Sequence, residues 1–248
     1  MRQLAYMALL GGLMALGGCM DRGEDFFDGN RPDFVSAFSL DRGKQGWTGG
    51  FSNYMLDAED TLQLFFGRTR APSFVFNSDS LTTVSGICNN ADLFSFITFK
   101  VMGLEGDRRY LLEFEVEFIA ENRSQVNPSN TTNETTLSFM KVGAVPFQPE
   151  VTLTPDATAL GYIGYQLNLD KGIGSNNGQD LITLGGVALP PPRTSTGFIV
   201  ANNNGNVIQS RTNDAGEMWL VIGFDSQVPV HQAYHFRRII VYYTASGQ

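Results

Sequence analysis

The sequence predicts an all-β protein, a single jelly-roll β-sandwich over residues 34–248, and three observations predict it. Short apolar runs recur from residue 62 to residue 244 with almost no helical periodicity. The segments between them are rich in Gly, Asn and Asp, the residues that build turns. The chain carries 19 Phe and 27 Gly, and aromatic and β-branched side chains suit a pleated surface. About ten strands without a 20–50-residue repeat fit a two-sheet sandwich rather than a propeller or solenoid. No shift in composition divides the chain, so one domain is expected.

In chain order, residues 1–18 read as an export signal. Arg2 gives a cationic tip, and the apolar run Leu4–Leu16 is too short for a bilayer core, which needs roughly 20 residues. The run ends Leu16-Gly17-Gly18-Cys19. This resembles the bacterial lipobox, with Gly17 a departure at its middle position, and implies that Cys19 becomes a diacylated N-terminus. Residues 19–33 are polar and acidic and read as a tether. The expectation is an exported protein lipid-anchored to a bacterial membrane. Met20 after the cysteine, rather than Asp, points to the outer membrane.

Strands are expected at Leu62–Phe66, Ser73–Phe76 and Leu93–Phe99, the last buried on both faces. The clearest is Tyr110–Phe118. Tyr110, Leu112, Phe114, Val116 and Phe118 share one face, and Glu113, Glu115 and Glu117 share the other. A polar loop over 122–136 precedes strands at Thr136–Val142, Tyr162–Leu169, Leu181–Leu184, Phe198–Val200, Met218–Phe224 and Arg238–Thr244. Asn202–Asn206 and Asn213–Gly216 are turn clusters that place residues at positive φ.

Charge and cysteine count narrow the function. A net charge of −8 argues against nucleic acid, which needs clustered Lys and Arg. It also leaves the lipid on Cys19 as the contact with the membrane. With Cys19 acylated, Cys88 has no partner and is expected as a small buried hydrophobe.

Four constellations carry candidate chemistry. Glu113, Glu115 and Glu117 resemble the E-x-D-x-E strand of laminarinase-type jelly-roll glycosidases, with Glu113 and Glu117 as the catalytic pair. Those two have Cα atoms about 13 Å apart at ~3.3 Å rise per residue, whereas a retaining pair needs carboxyls roughly 5–5.5 Å apart. A solvated sheet face is therefore the preferred reading. Asn168, Asp170, Asn176, Asn177 and Asp180 form an oxygen-rich loop in which calcium is the one cofactor the sequence offers, against ordinary turn chemistry, which is preferred. His231 and His235 fall about 13 Å apart on one strand face, too far for zinc. Trp47 and Tyr54, with Asn53 and Asp57 beside them, would make a sugar platform on a Gly-rich loop. The preferred reading instead places Trp47 and Phe51, and Trp219 in its strand, in the core.

Several segments together resemble a family of secreted bacterial proteins without a defined activity. They are Phe38-Ser39-Leu40-Asp41 with Gly46-Trp47 through Tyr54, Asn89–Phe94, Lys141-Val142-Gly143-Ala144, Asn168-Leu169-Asp170-Lys171-Gly172 and Glu217-Met218-Trp219 through Asp225-Ser226. Asn/Thr-rich sequence replaces a Gly-rich segment at 124–138, and Arg237 stands where an Asp would be expected in the closing strand. The resemblance implies location and a fold like galactose-binding and carbohydrate-binding jelly rolls, not an activity. The function expected is a non-catalytic envelope lipoprotein binding an extracellular ligand, with glycan first. The alternatives are a glycan hydrolase using the Glu113–Glu117 strand and a structural lipoprotein binding another envelope protein.

Overall fold

The computed structural model describes residues 32–72, 80–88, 93–124, 137–154, 163–191, 193–203, 205–226 and 229–246. The export signal, Cys19, most of the tether and the Ser73–Phe76 run lie outside them. From Pro32 on, the described residues form one compact unit.

Strand Arg109–Asn122 (β7) shows how pattern becomes layer. Its even-numbered residues from Tyr110 to Phe118 are buried and its glutamates half-buried. It pairs antiparallel with the last strand, His231–Ala245 (β16), in a register broken between Phe236 and Arg238. A bulge there lets Phe236 and Ile239 both face inward, and it seats Arg237 at the kink. Ser80–Ile87 (β5) and Phe34–Ser39 (β1) flank β16, and Phe65–Arg70 (β4) closes that edge. On its other side β7 pairs with Thr194–Ser195, Ile199–Asn202 and Ile208–Arg211.

The facing sheet has five strands. Its order is Leu181–Ala188 (β11), Leu137–Val145 (β8), Met218–Ser226 (β15), Phe94–Val101 (β6) and Thr48–Ser52 (β2). Leu112, Phe114 and Val116 of the first sheet meet Ile97, Val142, Leu220 and Ile222 of the second in one apolar core. Phe224 and Tyr234 stack across the gap, ring centroids 3.6 Å apart and 3° from parallel. This is the all-β jelly-roll sandwich that the strand pattern predicts.

Strands Phe34–Ser39, Ser80–Ile87, Val151–Thr154 and Ile208–Arg211 fall outside the expected runs, and three further features differ from expectation. The expected Leu62–Phe66 strand opens as a turn, with Gln63 at φ 49, and only its last two residues, from Phe65, are strand. The closing strand begins at His231 rather than Arg238. The stretch at 48–52 expected as loop is β2, because its glycines admit neighbouring rings. A Cβ on Gly49 would overlap Phe66 on the core side, and one on Gly50 would overlap Phe96 on the outer side.

A third, three-stranded sheet lies over the outer face of the five-stranded one. It is built from Tyr54–Met55 (β3), Gly164–Leu167 (β10) and Val151–Thr154 (β9). Leu167 and Val151 pack there with Phe94, Phe96, Leu181 and Val221 as a second apolar cluster. This added layer creates the site.

Candidate functional site

Where β3 and β10 meet the β2–β6 edge, the layers leave a cleft of about 480 Å³. Asn53 sets its geometry. At φ 63 it turns the chain from β2 into β3, and its N–H donates to the Tyr165 carbonyl at 2.7 Å. Tyr54 then pairs in register with Tyr165, and their ring centroids lie 4.8 Å apart at 31°. Tyr54 is 6% exposed and Tyr165 half-buried. Opposite them are Phe96, Thr48 and Thr98, all on the outer face of the sheet. The 3-10 helix Leu56–Thr61 brings Glu59 to the same cleft. Burial, then the charge of Glu59 and the neighbouring Tyr165, push the Tyr54 phenol up to about 12, so it is a neutral hydroxyl at physiological pH.

The other residues of the expected platform go elsewhere. Trp47 is 2% exposed and packs edge-on against Phe38 at 5.3 Å, inside the main core. It plugs the sandwich because it lies on the face of β2 opposite the cleft. Asn53 serves the turn, and Asp57 stands exposed on the 3-10 helix outside the cleft lining. Trp219, in contrast, is half-buried on the outer face, with the Lys100 ammonium 5.0 Å from its ring. Its strand neighbours Met218 and Leu220 are the ones that enter the core. Glu59, Tyr165, Phe96, Thr48 and Thr98 were not legible as site residues. They come together only when the third sheet folds back, and none carries a local motif.

The glutamate strand is an ion-pair face rather than a freely solvated one. Arg237 meets Glu117 at 2.9 Å, and Arg238 meets Glu115 at 2.7 Å and Glu117 at 3.6 Å. Arg237 also stacks 4.7 Å over Phe198. Burial raises the Glu113 carboxyl above its ordinary range. Glu113 and Glu117 therefore occupy different surroundings, and Glu117 is engaged by arginine.

The oxygen-rich loop at 168–180 is built by turn chemistry. Asp170 accepts N–H groups from Gly172 at 2.9 Å and Gln179 at 3.0 Å, which hold its carboxyl below the usual range. Asp180 accepts the Asp170 N–H, Asn168 accepts from Glu150, and Asn177 accepts from Thr183. Among the described residues no group of three acidic, His or Cys side chains is arranged for a metal.

Positive charge beneath this loop comes from lysines. Lys141 is fully buried and donates to the Asn176 carbonyl. Lys171 pairs with Asp225 at 3.0 Å, their side chains 7% and 1% exposed, and the Gly174 N–H also donates to Asp225. Gly143 leaves room for the loop backbone, since a Cβ there would strike the Asp180 carbonyl. The segments around Lys141, Asp170–Gly172 and Asp225, far apart in sequence, thus converge on one latch that holds the loop against the sheet.

His235 is buried between Thr83 and Glu121, at 2.9 Å from each. Burial works against ionisation of Glu121, but hydrogen bonds from His235 and Arg123 outweigh it and lower that carboxyl. Cys88 is fully buried, its thiol directed at the Ser226 carbonyl.

No protein-family model matches the chain, and no curated protein matches it. Solved structures with a similar architecture include the CBM22-1 xylan-binding domain of Xyn10C from Paenibacillus barcinonensis, at 9% identity over 88% of this chain and 99% of that one, TM-score 0.38. The family 11 carbohydrate-binding module of the cellulase Lic26A-Cel5E of Clostridium thermocellum gives 7% identity, 86% and 95% coverage and TM-score 0.37. The enzymatically active domain of bacteriophage CBA120 tailspike protein 4 gives 14% identity over 84% of this chain, TM-score 0.32, and this chain spans 20% of its length. Carbohydrate-binding modules are among the solved structures to which the chain is similar.

Proposed function

We propose that this is a non-catalytic, lipid-anchored protein of the bacterial cell envelope that binds an extracellular glycan in the Tyr54–Tyr165 cleft. The observation that carries the reading is the pairing of two tyrosine rings with two threonines and one carboxylate around a single concavity. Sugar rings present C–H faces to aromatic π systems and hydroxyls to polar groups, and such a site supplies both. Glu59 is the one carboxylate among the described lining residues, whereas glycoside hydrolysis uses a flanking pair. That supports binding over hydrolysis. Export and anchoring rest on Arg2, the apolar run and Leu16-Gly17-Gly18-Cys19.

A glycan array probed with the detergent-solubilised mature protein tests the reading. Tyr165→Ala should keep its melting temperature and lose the bound saccharides, because Tyr165 is only half-buried. Aromatic stacking adds ~0.5–1.5 kcal/mol beyond buried area, so longer oligomers should bind better than monomers. Wild-type protein that binds no saccharide would contradict the proposal.

A further inference from the structure

Resting on the glycan reading of the cleft, we propose that the site selects neutral or amino-bearing saccharides and excludes uronic and sulfated ones, with Glu59 as the selecting residue. The charge balance of the cleft argues for it. Among the described residues that line it, Glu59 is the one acidic side chain and none is Lys, Arg or His. The remaining polar side chains are the Tyr54 and Tyr165 phenols and the Thr48 and Thr98 hydroxyls, which neutralise nothing. The next basic group along β6, Lys100, is 2.7 Å from Glu217 and spent on it. No arginine fork is present among those lining residues to receive a carboxylate or sulfate, the usual means of anion recognition. Tyr54 lies in the same cleft, and its phenol, raised chiefly by burial, is raised further by the Glu59 carboxylate. The protein's net charge of −8 adds a long-range field of the same sign.

A uronate entering the cleft thus meets like charge without a counterion, while a hexosamine ammonium meets Glu59 as a partner. The Glu59 term is local and screened by salt, with a Debye length of about 10 Å at 0.1 M.

The experiment is one array carrying neutral, amino-bearing and carboxylate- or sulfate-bearing saccharides of matched length, probed with wild type and Glu59→Gln at low and high ionic strength. The expected result is wild-type binding to neutral or amino-bearing members, with anionic counterparts at least tenfold weaker at low salt. That ratio should shrink in Glu59→Gln and at high salt. Anionic members bound by wild type as well as their neutral counterparts would overturn the selectivity and leave glycan binding standing. An unchanged ratio in Glu59→Gln would overturn the role of Glu59. Failure of both proteins to bind any saccharide would overturn the glycan reading, and this inference with it.

Discussion

Lys171 and Lys141 are both buried ammonium groups, yet their substitution should have opposite consequences. Lys171→Met removes the ammonium that the buried Asp225 carboxylate holds at 3.0 Å. Breaking such a pair costs about 3–5 kcal/mol, so a fall of that size in urea-unfolding stability is expected. Lys141→Met removes a group whose burial outweighs its attraction to Asp225 and whose hydrogen bond goes to a carbonyl that Thr183 also approaches, and stability should hold or rise. The pH dependence separates the two further. Burial, assisted by the neighbouring Lys171 charge and opposed by Asp225, depresses Lys141 from its ordinary 10.5 to about 8. Between those values the unfolded chain binds a proton at Lys141 that the folded protein has released, so this residue makes the fold more stable as pH rises from about 8 to 10.5. The wild type should therefore gain on Lys141→Met across that window. A constant difference in unfolding midpoints would contradict the assignment. At Trp47 the outcome is a packing one: replacing a buried Trp by Ala costs about 3–5 kcal/mol, so Trp47→Ala should melt early.

At the scale of elements, β7 was legible and β2 was not, and the difference is physical. β7 alternates because one face packs on the core and the other carries half-buried glutamates, so period-two patterning records its surroundings. β2 has glycine where a strand would normally show side chains, since Phe66 and Phe96 supply the packing from other elements. A glycine chosen for close approach looks like a glycine chosen for a turn until its neighbours are known. The cleft inherits that opacity: Tyr54 was legible as an aromatic in a marked segment, while Tyr165 and Glu59 join it only through strand pairing and the 3-10 helix. Lys141 and Asp225 stood in segments singled out by resemblance, but their meeting was not legible, because β8 and β15 become neighbours only in the sheet. Gly50→Val tests the β2 account. The added side chain must displace the Phe96 ring, and overpacking of this kind costs roughly 1–3 kcal/mol. A melting temperature equal to wild type would show that the ring is not held where the structure places it.

For the whole molecule, the proposal joins an anchored N-terminus to a domain that needs no crosslink. Cys88 is free and buried, so the melting temperature should be indifferent to reductant. Cys19→Ser should move the protein from the membrane fraction to the soluble one, and mature wild type should show an acylated cysteine in its mass spectrum. An exported wild type retaining Met1 would contradict the anchor.

The central claim, that the cleft is where glycan binds, is tested most directly by ring-labelled tyrosine NMR. The chain has eight tyrosines; Tyr6 lies in the export signal, and each of the others reports its own surroundings. Titration with the strongest array saccharide should shift the ring signals of Tyr54 and Tyr165, leaving core Tyr234 and Tyr243 and outer-face Tyr242 unmoved. Shifts centred on Tyr242, beside the glutamate strand, would place the ligand on the opposite sheet and contradict the account.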